Sequence, residues 1–183
     1  MPTLEEQIAV LKSVGIELKA GVTIDDVRNE DLATDYENDP YISLLCVMGD
    51  AENLSADVWH FDAECIEGHG SYVYIAQQLA VLSDGALPLE QIEDEVDNDG
   101  ILTGTAWLSF VLRGQPYKWE LKIDDDWIDA EVFTRFVQLH NQQNPSKRFI
   151  YFGLGQYGLI ACATLQQLAS LNQQTGLEFV WLT

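Results

Sequence analysis

The stretch ILTGTAWLSFVLRGQPYKWELKI, residues 101–123, carries the pattern that decides the fold. Its apolar residues Leu102, Ala106, Leu108, Phe110 and Leu112 recur at even spacing. Further on, Tyr117, Trp119, Leu121 and Ile123 alternate with Lys118, Glu120 and Lys122. Successive side chains of a strand point to opposite faces, so each run predicts a strand with one face in a core. The four residues between the runs, RGQP, close the pair into a hairpin.

Downstream, Val132, Phe133, Phe136 and Val137 share one face of a helix that Asp129 can cap. RFIYF (148–152) and YGLIACA (157–163) predict two strands around GLGQ. Thr164 can cap a helix carrying Leu165, Leu168 and Leu171, which Gly176 stops, and LEFVWL (177–182) closes as a strand. From residue 101 the order is β-β-α-β-β-α-β. It predicts an α+β protein, a mostly antiparallel sheet with helices packed on one face, best defined in the C-terminal half.

Upstream, Thr3 and Glu6 form a capping box for a helix with Leu4, Ile8 and Leu11 along one face and Gly15 as its stop. Thr23 and Asp26 repeat the box. YISLLCVMG (41–49) is a buried strand or a helix end, too short for periodicity to decide. Residues 57–65 alternate as a strand. SYVYIAQQLAVL (71–82) is an amphipathic helix with Tyr72, Ile75, Ala76 and Leu79 on one face. The chain is expected to be a single domain, 1–183. If it is subdivided, the acidic stretch LEQIEDEVDNDG marks the break between an acidic α/β part, 1–98, and a hairpin-rich α+β part, 101–183.

Charge is the strongest compositional feature. Thirty Asp and Glu stand against nine Lys and Arg, for a net charge of −21. Residues 1–100 hold 23 of the acids and only Lys12, Lys19 and Arg28, whereas residues 101–183 are nearly balanced. Such a field repels nucleic-acid phosphates and anionic lipid and attracts cations and basic proteins. The apolar fraction of 47% excludes a disordered chain. No apolar run reaches the roughly 18 residues of a membrane span, and the acidic N-terminus is unlike a secretory signal. Cys46, Cys65 and Cys162 are sparse and form no CxxC, which suits reduced thiols in a cytoplasm.

Four constellations invite a chemical assignment. In VWHFDAECIEGHG (58–70), His60, Asp62 and Glu64 would share one face of a strand, a donor set for a divalent cation such as zinc, manganese or iron. His69 could fold back toward them. Cys65 would point with Trp59, away from His60, which opposes a Cys–His nucleophile. In EDEVDNDG, Glu95, Asp97 and Asp99 resemble the first half of an EF-hand calcium loop. Ala106 stands where the closing glutamate belongs, so a solvated acidic loop is expected. Gly153, Gly155 and Gly158 match GxGxxG, but strand follows them, so they predict a hairpin turn. Trp127, after three aspartates, is a candidate anchor for a partner. His140 is expected at the boundary of an apolar helix face.

No GxSxG elbow, P-loop or HExxH occurs. The residues favour a binding protein over an enzyme. In composition alone the chain is similar to bacterial immunity and inhibitor proteins that neutralise basic effectors. The expected partner is therefore a basic protein, with neither nucleic acid nor membrane. The alternative is a divalent-metal protein or metal-dependent hydrolase built on His60, Asp62 and Glu64. A third expectation is a module whose charge serves solubility alone.

Overall fold

The computed structural model describes residues 1–28, 33–50, 54–97 and 104–183. In chain order these form α1 (Leu4–Ser13), α2 (Ile24–Val27), α3 (Ala33–Asn38), α4 (Ile42–Gly49), β1 (Val58–Asp62), α5 (Ser71–Leu82), β2 (Leu89–Asp97), β3 (Thr105–Leu112), β4 (Gln115–Leu121), α6 (Glu131–Gln143), β5 (Arg148–Leu154), β6 (Tyr157–Ala163), α7 (Leu165–Thr175) and β7 (Val180–Trp181). The protein is α+β, and the order predicted from residue 101 onward is present. The strands form two sheets, however, β1-β6-β5-β7 and β2-β3-β4. Two compact units result, one of residues 1–61 and 146–181, the other of residues 62–145 with 182–183. The acidic break near residue 100 lies between β2 and β3, within the second unit.

In the first unit, Leu11, Leu44, Leu45, Ile150 and Leu159 are wholly buried in one core. The Thr3 box closes as expected: Glu6 N–H donates to Thr3 Oγ1 (3.2 Å) and Thr3 N–H to Glu6 Oε2 (2.8 Å). The Thr164–Gln167 box does the same for α7. The ambiguous run YISLLCVMG is a helix, α4, that buries Leu44, Leu45 and Met48. It ends in Gly49 because the chain runs against β1 there: a Cβ at Gly49 would lie 2.6 Å from His60 N. The GxGxxG residues form the β5–β6 hairpin, with Leu154 opposite Tyr157 and Gly155 at φ 78° in the two-residue turn.

In the second unit, β2, β3 and β4 form an antiparallel meander. Arg113 (φ 51°) and Gly114 (φ 80°) both adopt positive φ in the β3–β4 turn, the geometry that matches the twist of a tight hairpin. On the buried face, Phe110 meets Phe136 of α6 at 5.4 Å between ring centroids, and Trp119 meets both rings at 4.8 and 4.9 Å. Helix α5 buries the four residues expected of it. The sequence expectation fails at EDEVD (93–97), expected as part of an acidic loop and found in strand β2. Its acids lie mostly on the outer face, so charge hides an alternation that continues beneath it.

One buried polar side chain organises the start of the first unit. Gln7 is 1% exposed on α1. Its Nε2 donates to Tyr36 O (2.8 Å), and its Oε1 accepts from Tyr41 N–H (2.8 Å), where Tyr41 holds φ 72° ahead of α4. Gln7→Leu would leave a buried carbonyl and a buried N–H unpaired. It is expected to lower stability by about 3 kcal/mol in urea unfolding, against under about 0.5 kcal/mol for a surface change such as Gln173→Leu.

Candidate functional site

β1 is shorter than its alternation suggests. Trp59 and Phe61 are buried and His60 and Asp62 half-buried, as a strand with one covered face requires. The strand stops at Asp62 because its Oδ1 accepts from Glu64 N–H at 2.9 Å, turning the chain. Glu64 therefore lies beyond the strand. The next residues pair with residues 126–128 instead: Ile128 N–H donates to Ala63 O (2.8 Å) and Ile66 N–H to Asp126 O (2.9 Å).

This pairing of two loops draws carboxylates together. Glu64 bridges to Trp127, and its carboxyl is raised above its ordinary value, first by partial loss of water and then by Asp126, Asp62 and Asp125. Trp127 is 42% exposed beside them. An indole ring open to solvent thus stands among crowded negative charges. Such a surface offers stacking and charge attraction to a basic side chain.

The metal donor set is placed differently from a ligand cage. His60 packs its ring 5.6 Å from Tyr157. His69 turns to another partner. Glu95 and Asp97 lie exposed on β2, opposite Trp107 and Thr105, and Asp99 lies outside the described residues. Glu95 and Asp97 are part of an extended strand, where an EF-hand needs a curled loop. Among the described residues, no three His, Cys, Asp or Glu side chains are grouped to hold a metal ion. His140, expected at a boundary, is fully buried.

His69 and Asp94 form an arrangement that the sequence did not announce. Asp94 is 1% exposed on β2. Its Oδ1 accepts from Gly70 N–H (2.7 Å) and its Oδ2 from Val73 N–H (3.0 Å), so it supplies the negative charge at the N-terminus of α5. His69 Nδ1 lies 3.0 Å from Asp94 Oδ1 and 2.9 Å from Asp94 O. Both oxygens are acceptors, so the contact is a hydrogen bond only with a proton on Nδ1. The available signal was Asp94 sharing a strand face with Val96. Asp94→Ala is expected to cost about 3 kcal/mol, because it removes two charge-assisted bonds at a buried helix end. In the native protein, nitrogen-detected NMR should show a proton on His69 Nδ1. That preference should weaken in the variant, which keeps only the backbone acceptor Asp94 O.

The thiols are poor nucleophiles. Burial pushes Cys46 and Cys65 up to about 11, with Asp50 adding to the first and Asp62 to the second. A thiolate is the reactive form, so Cys65 stays protonated at neutral pH. In peptide-mapped alkylation, Cys65 of the folded protein should react with a midpoint at about 11, against 9.0 for an unperturbed thiol. The folded state holds the proton more tightly. The thiols' contribution to stability is therefore full below pH 9.0 and is lost as pH rises through about 11.

The chain matches no protein-family model, no curated protein and no solved structure.

Proposed function

We infer that this chain is a non-enzymatic binding protein for a basic protein partner, and that the acidic loops around Trp127 are its contact surface. The observation that carries this is the exposed Trp127, bridged to Glu64 and next to Asp125 and Asp126, with the Glu64 carboxyl raised by loss of water and then by those neighbouring acids. A cationic partner relieves such crowding by binding. The net charge of −21 would add long-range steering. Support for a site in the cytoplasm comes from the three cysteines, which form no disulfide. Among the described residues, no helix is long and apolar enough to cross a membrane.

The test is association kinetics with basic proteins recovered on the immobilised chain. Between about 0.1 and 1 M salt the Debye length shrinks from ~10 to ~3 Å. Association should slow at least about tenfold over that range, and Trp127→Ala should speed dissociation. Rates indifferent to salt for every recovered partner would sink the proposal. Glu64→Gln supplies a second check. Its raised carboxyl means that the folded state disfavours the charge, so the variant should be more stable at pH 7. The gain should fade as pH falls through the raised Glu64 value, where wild-type Glu64 takes up its own proton, and be gone below the ordinary 4.5.

A further inference from the structure

The sheet β2-β3-β4 buries one face beneath α5 and α6 and leaves the other open. Asp94, Leu108 and Leu121 are buried, whereas the alternating Glu95, Trp107 and Glu120 are half-buried or exposed. A solvated sheet face ordinarily carries polar residues throughout. Here the central strand puts Trp107 in the middle of the outer face. Glu95 on one side and Glu120 on the other are its cross-strand partners. With strands ~4.8 Å apart, the two carboxylates flank the indole across about 10 Å. The cation that this geometry attracts is already illustrated within the chain: Lys118 Nζ lies 3.9 Å from the Trp107 ring centroid. Among the described residues of the three strands it is the single base on a face that also carries Glu90, Glu93 and Asp97.

We propose that this outer face is a second docking surface, which takes an arginine-bearing basic segment of a protein partner by stacking a guanidinium on Trp107 between Glu95 and Glu120. Arginine suits it better than lysine, because a planar guanidinium stacks on the indole while its N–H groups reach both carboxylates. The inference rests on the basic-partner reading but concerns a different surface from Trp127. Lys118 competes for the same ring, so it lowers affinity for weakly basic proteins and favours segments with several arginines.

The experiment titrates nona-arginine into isotope-labelled full-length protein at about 0.1 M salt, where exposed charges beyond ~10 Å are largely screened. The Trp107 indole resonance and the β3 amides should shift. Glu95→Gln with Glu120→Gln should weaken binding about tenfold, as loss of two well-placed exposed ion pairs would. Glu37→Gln with Glu178→Gln, an equal charge change on exposed acids of the first unit, should weaken it less than about twofold. Lys118→Met should tighten binding more than Lys122→Met. Equal losses from both glutamate pairs, or shifts confined to Trp127, would overturn this surface and leave the basic-partner reading standing. No binding of the peptide by the wild-type protein would remove both.

Discussion

Asp94 holds two backbone N–H groups at the start of α5 and the Nδ1–H of His69 while lying almost wholly out of water. A carboxylate buried there is tolerable only because every one of these donors faces it. The contact ties β2 to α5 and determines which side of β2 is covered. Once Asp94 points inward, its neighbours Glu93 and Glu95 must point outward, since a slip of one residue would invert every side chain of the strand. The register then places Glu95 against Trp107 and Val96 against Ala106. The composition of the open sheet face is a consequence of that one buried charge.

The second unit shows acids in two different states. Asp94 is surrounded by donors and does structural work. Glu64 lies near Asp125, Asp126 and a partly exposed Trp127, and its carboxyl is raised first by partial loss of water and then by Asp126, Asp62 and Asp125. Charge repulsion of this kind lowers the stability of the compact state. On the proposed basic-partner reading, the same repulsion would favour a cation that enters, so stability and recognition would pull in opposite directions at one set of loops. The thiols lie outside this economy, since burial keeps Cys46 and Cys65 protonated.

Much of the fold was legible in the residues. The hairpin of β3 and β4, the amphipathic helix α5, the capping boxes at Thr3 and Thr164 and the turn at Gly155 rest on interactions within a few positions of one another. Two expectations failed for a common reason. EDEVD was masked because exposed acids on alternate positions look like a solvated loop until a partner strand covers the other face. VWHFDAEC promised a longer strand, but the Asp62 side chain captured the Glu64 amide and ended it. Trp127 was singled out from its neighbours in sequence. The company it keeps, Glu64 from another loop, was not readable there.

By itself, then, the sequence determined the α+β class, the order of elements from residue 101, the helix starts at Thr3, Thr23 and Thr164 and the imbalance of charge. These follow from local spacing, capping chemistry and counting. Only the tertiary structure decided that the strands divide between two sheets and that Asp94 closes α5 from a distant strand. It also decided that the carboxylates of two loops crowd around Trp127. Each depends on which segments pair across long stretches of chain. That choice reflects the combined fit of whole faces, and no single residue or short pattern encodes it.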